Sequence, residues 1–185
     1  MVDAARAAGR LLPHTWPHFD HAIVARRGGV ICYRYPHRVV VLAPNGDSPD
    51  YTLLARESPD GGAGEPESRR CAADSLPGDF VLREQDDLMG MRGDTLWTES
   101  GDLNGTLTLY DLSKRRRLVE LPEFEIAGWP DNETVKLWMA HDTVSHARCP
   151  KVPASMIASL DSLYLLHLVS LRLEATGDVR CSARQ

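Results

Sequence analysis

Leu96–Pro122, LWTESGDLNGTLTLYDLSKRRRLVELP, decides the fold class. Thr106, Thr108 and Tyr110 alternate with Leu107 and Leu109, the period of two expected of a strand with one face buried. A strand carrying Trp97 precedes it across a polar turn at Gly101 and Asp102. A strand ending at Leu121-Pro122 follows it across the basic turn. The stretch therefore reads as one antiparallel β-repeat.

The same signature extends outward in both directions. His21–Ala25 and Val30–Tyr35 read as strands joined at Gly28-Gly29, a pair that supplies the positive φ of a tight hairpin. Val39–Leu42 and Tyr51–Ala55 are further strands, with Pro44-Asn45-Gly46-Asp47 as the turn between them. Phe80–Leu82, Leu88–Met91 and Thr134–Met139 continue the pattern. Residues 57–78 interrupt it with Gly, Pro, Ser and charge, and read as a flexible loop or linker. Ala4–Leu12, rich in Ala and Arg and stopped by Pro13, reads as a minor N-terminal helix. Over residues 163–174 helical composition competes with strand alternation. The later half reads as strand, with a turn near Ser159–Ser162.

These elements predict a mainly β chain of short antiparallel strands, sandwich-like or part of a β-propeller. The expected organisation is a β-rich segment over 1–56, the loop at 57–78 and a β-rich domain over 79–185.

The chain has 185 residues, 43% of them hydrophobic and 25% charged, within the range of a globular domain. A net charge of −5 provides no global field for nucleic acid, so that partner is not expected. No segment reaches the roughly 18 apolar residues of a membrane helix. Cys32, Cys71, Cys149 and Cys181 are scattered without a CxxC pair, and no secretory leader pattern opens the sequence. Reduced thiols and a cytoplasmic or nuclear location follow as the expectation.

The Leu96-Trp97 strand, the Gly101-Asp102 turn, the Leu107–Asp111 strand and the Leu118–Pro122 return resemble the β-repeat of plant F-box-associated and kelch-like domains. More narrowly, they are similar to the grass-specific family called domain of unknown function 1618. That family tends to continue with a Pro-x-x-Pro stretch, a Ser-Leu-Asp turn and an apolar strand. Pro150–Pro153, Ser159-Leu160-Asp161 and Leu163–Val169 stand here in that order. The resemblance covers the C-terminal half and implies a plant-like intracellular β module with no catalytic residues to carry over. The spacing from Pro122 to Pro150 is short for the family, so a truncated gene product without independent function is an alternative.

No phosphate loop, nucleophile elbow or zinc-protease motif occurs. The leading reading is a non-enzymatic protein-interaction module with an unknown protein partner and no cofactor. Its candidate contacts are Trp129, in the turn Gly128–Asp131, and the basic turn Lys114, Arg115, Arg116 and Arg117. The rival is a hydrolase or metal-binding protein using His141, His146 and Cys149, with Asp142 to orient an imidazole. His14, His18, Asp20 and His21 form a second His-carboxylate group, but their spacing matches no defined metal site.

Overall fold

The structure, a computed structural model, describes residues 19–45, 51–58, 67–82, 86–100 and 105–184. The chain is mainly β, and its described residues form three antiparallel sheets whose strands follow in sequence order. The first contains β1 (Ile23–Arg27), β2 (Val30–Arg34), β3 (Arg38–Pro44), β4 (Tyr51–Glu57) and β5 (Phe80–Leu82). The second contains β6 (Asp86–Arg92), β7 (Thr95–Ser100), β8 (Thr106–Asp111) and β9 (Arg116–Leu121). The third contains β10 (Phe124–Gly128), β11 (Thr134–Thr143), β12 (Ile157–His167) and β13 (Arg172–Arg184). The N-terminal helix expected at Ala4–Leu12 lies outside the described residues, as do His14 and His18.

Two compact units divide the chain: Met1–Ser100 with Thr108–Leu118, and Gly101–Leu107 with Val119–Gln185. The first unit is sandwich-like. Ile31 and Tyr33 from β2, Val40 and Leu42 from β3, and Leu53 and Ala55 from β4 share one core with Leu88, Met91 and Leu96 of β6 and β7. The opposite face of the first sheet is also covered. Cys32, Val39, Val41, Ala43 and Leu54 pack there with Cys71 and Val81. Burial on both faces explains why Val39–Ala43 is an unbroken apolar run rather than an alternating one.

Gly28 and Gly29 take φ of 57° and 81°, the mirror-image turn that matches strand twist, and close the β1–β2 hairpin expected there. Within 57–78, read from sequence as a loop or linker, Glu67–Arg70 forms a short helix, α1. The segment that follows is tied down from β4. The Arg56 guanidinium donates to the carbonyls of Arg69, Arg70, Ala72 and Asp74 and to Asp79. Cys71 is joined to Cys32 of β2 by a disulfide. A single buried cation thus satisfies main-chain oxygens that lack sheet partners.

In the second unit the predicted turn at Ser159–Ser162 is corrected: these residues lie inside β12. The turn falls at 168–171, and β13 runs for 13 residues beyond it. Register shifts interrupt the third sheet between Ala140 and Asp142 and between Ser162 and Tyr164. The second of these faces the stretch Thr176–Asp178, where Gly177 has φ of 87°. The segment between β11 and β12 is tied to β13 by a Cys149–Cys181 disulfide. All four cysteines are therefore paired, which corrects the expectation of reduced thiols.

Candidate functional site: an arginine and tryptophan surface on the second unit

Period-two geometry places residues i, i+2 and i+4 of a strand on one face. On β12 that face carries Ser159 and Asp161; on β13 it carries Arg180, Ser182 and Arg184. Strand pairing sets Asp161 opposite Arg180 and Ser159 opposite Ser182. Asp161 is consequently the hub of a polar network, although it is only 2% exposed. Its Oδ1 accepts from Ser182 Oγ at 2.8 Å, Arg184 Nη2 at 3.1 Å and Ser159 Oγ at 3.3 Å. Its Oδ2 accepts from Arg180 Nε at 3.3 Å.

Two glutamates of the β9–β10 region hold the outer sides of the same arginines. Glu125 receives both terminal nitrogens of Arg180, and Glu123 Oε2 receives Arg184 Nη1 at 2.8 Å. The Arg180 guanidinium carbon lies 4.6 Å from the centroid of the Trp138 ring, in cation–π range. Burial alone pushes the Asp161 carboxyl up, but hydrogen bonds from Ser182 and Arg184, the Arg184 charge and the Arg180 bond outweigh it. The carboxyl is held below the ordinary aspartate range. The Glu125 hydrogen bond is the main cause of an Arg180 pKa raised above its usual value.

The hollow over this network has a volume of about 80 Å³ and is lined by Glu125, Trp138, Asp161, Arg180 and Arg184 among others. Substrate pockets run to several hundred cubic ångströms, so this geometry suits side-chain contact rather than substrate enclosure. A larger open groove of about 710 Å³ lies at the β12–β13 turn, lined by Asp131, His167, Val169, Arg172 and Glu174. Its His167 and Arg172 both face Glu174, at 3.4 and 3.7 Å. In the first unit a cleft of about 550 Å³ is lined by Tyr35, His37, Arg38 and Asp94. There Arg38 is held by Glu57 and Asp94 at 3.1 and 2.9 Å.

The basic turn is not one uniform patch. Lys114 pairs with Asp111 at 3.3 Å, and Arg115 donates to the carbonyls of Gly78 and Asp79. Arg116 and Arg117 stand exposed at the start of β9. Trp129 is half-buried, immediately after β10.

The rival cluster is not assembled for nucleophilic chemistry. Cys149 is fully buried and bonded to Cys181, so it offers no thiolate in this form. His146 Nε2 lies 3.1 Å from the carbonyl oxygens of Pro153 and of Met156, which fixes the ring as a clasp on its own loop. His141 and Asp142 are exposed at the end of β11. Among the described residues no three His, Cys, Asp or Glu side chains are grouped to hold a metal ion. No described helix is long and apolar enough to cross a membrane.

Sequence reasoning missed the Asp161 network because Ser159, Asp161 and Ser162 are turn-forming residue types. The available signal was Arg180-Cys181-Ser182-Ala183-Arg184, whose alternation marks a strand with one polar face. No protein-family model, curated protein or solved structure matches the chain.

Proposed function

We propose that the protein is a non-enzymatic protein-interaction module whose contact surface is centred on Arg180 and Trp138. The observation that carries this reading is the Arg180 guanidinium stacked at 4.6 Å on Trp138 and anchored to buried Asp161. Arginine and tryptophan dominate binding hot spots, and a guanidinium fixed in advance loses little entropy when it is engaged. The Arg180 side chain is 31% exposed and that of Glu125 is 62% exposed, so an incoming carboxylate has access to take over the outer bonds of Arg180. The partner favoured by this chemistry is an acidic protein segment. Trp129 and the exposed end of the basic turn, Arg116 and Arg117, are proposed as further contacts.

The test is capture from source tissue with the wild-type chain, Arg180→Ala and Trp129→Ala, each checked for cooperative unfolding. The reading expects one partner whose recovery falls at least about tenfold with Arg180→Ala, the scale of a hot-spot residue. Equal recovery by all three chains overturns the surface. Hydrolytic turnover by the wild-type chain that Cys149→Ser or His146→Ala abolishes, with no partner recovered, overturns the module itself.

A further inference from the structure

The two disulfides differ in their access to solvent, and this difference has a chemical consequence. Cys32 is 2% exposed, and Cys71, half-buried, packs with it against Val39, Val41 and Leu54, so a core layer covers one half of the first disulfide and shields part of the other. The second is more sharply asymmetric. Cys149 is fully buried with Val152 and Ala158, whereas Cys181 stands exposed on β13. A thiolate attacking from solvent therefore reaches one sulfur of this pair, that of Cys181. Thiol–disulfide exchange depends on such access as well as on thiol pKa.

We propose that Cys181 is a modification site for small thiols of the glutathione class, and that the Cys149–Cys181 disulfide is exchangeable while Cys32–Cys71 is structural. In the first step the small thiolate attacks Cys181 Sγ. The Cys149–Cys181 bond breaks, a mixed disulfide forms on Cys181, and Cys149 leaves as a thiolate that takes a proton from water. A second small thiol then attacks the mixed disulfide, freeing Cys181 and releasing the oxidised small-thiol disulfide. Two electrons pass from two small thiols to the protein disulfide.

Exchange unties the segment 144–156 from β13. That segment keeps its hydrogen bonds: Val144 N–H to the Ala158 carbonyl, Arg148 and Cys149 N–H to the Ser145 carbonyl, Val152 N–H to the Cys149 carbonyl, Met156 N–H to the Pro153 carbonyl and the His146 clasp. Its covalent link to the strand carrying Arg180 is lost. This inference goes beyond the interaction reading and does not rest on it.

The full-length oxidised chain is incubated in mixtures of reduced and oxidised glutathione, quenched with acid, differentially alkylated and mapped by peptide mass spectrometry. The expected result is glutathione on Cys181 and not on Cys149, with the 149–181 pair opening at least about tenfold faster than the 32–71 pair. Simultaneous opening of both pairs, earlier opening of Cys32–Cys71, glutathione on Cys149, or no opening at any ratio each overturns the proposal. As an independent measure, Cys149→Ser leaves a Cys181 thiol that a maleimide labels rapidly without denaturant, and Cys181→Ser leaves a Cys149 thiol that it labels slowly. Equal labelling rates in the two folded variants also overturn it.

Discussion

Arg56 and Asp79 form an ion pair closed off from water, with a 2.9 Å contact and side chains 7% and 2% exposed. Asp79 Oδ2 also accepts the Leu76 N–H at 2.8 Å. The pair is thus part of a mesh whose remaining bonds run from Arg56 to four backbone carbonyls. Removing one partner leaves the other charged and desolvated. Arg56→Ala is expected to cost about 3–5 kcal/mol, read from denaturant unfolding. Arg56→Lys is expected to recover little of this, because an ammonium lacks the planar fork that reaches several oxygens at once. A Lys variant as stable as wild type would show that charge alone holds the segment.

Gly90 sits at the irregularity of the β6–β7 pair with φ of 153°, and a Cβ built there meets Phe19 Cγ at 2.8 Å. The Phe19 ring has little room to retreat, since it packs edge-on against Trp97 at 5.5 Å. Gly90→Ala is expected to destabilise the first unit by about 2–4 kcal/mol, combining overpacking with backbone strain. Loss of near-ultraviolet Trp signal at a lower melting temperature is the readout.

Leu171 and Arg115 both occupy the left-handed region, at φ of 55° and 53°. Relief of that strain by glycine is worth about 1 kcal/mol before other contacts are counted. Leu171→Gly is therefore expected to raise the melting temperature of the β12–β13 unit. Arg115→Gly is expected to lower stability, because it forfeits bonds to the Gly78 and Asp79 carbonyls at 2.8 and 2.7 Å. Thermal scans of the two variants should move in opposite directions.

Asp111 accepts from Ser113 Oγ at 2.6 Å and from the Lys114 N–H at 3.0 Å, and its carboxyl is lowered to about 2, chiefly by the Ser113 bond. A depressed folded-state value means the bonds contribute fully above the unfolded pKa of about 4 and fade as pH falls toward 2. Asp161, also depressed, adds a term of the same sign. Asp111→Asn should flatten the stability–pH curve below pH 4 and leave its slope above pH 6 unchanged. Carbon-detected NMR titration of the Asp111 carboxyl checks the midpoint directly.

Strand-by-strand, the sheets were legible where side chains repeat with a simple period or form a run long enough to be buried twice. Val39–Leu42, the Gly28-Gly29 hairpin and the Trp97 strand are of this kind. The strand β10 was not legible: Phe124 and Ile126 alternate with glutamate and alanine over only 5 residues beside a proline. The order of residues 67–78 was hidden for a different reason. It comes from Arg56, 13 to 18 positions away, a residue that in isolation reads as a solvent-facing strand arginine. Cysteine spacing carries no information on pairing, so the two disulfides had no local signature. The interaction surface shares this problem, because Glu125, Trp138, Asp161 and Arg180 meet only after four strands have aligned.

The interruption of β13 at Thr176–Asp178 bears on solubility. Among the described residues β13, 13 residues long, ends its sheet, and a long strand in that position is one that another molecule of the same protein is able to extend. The bulge bends that strand out of register midway, and Asp178 puts a charge beside the bend. Straightening it, by supplying a residue that restores regular pleating, gives a second copy a continuous edge along which to pair.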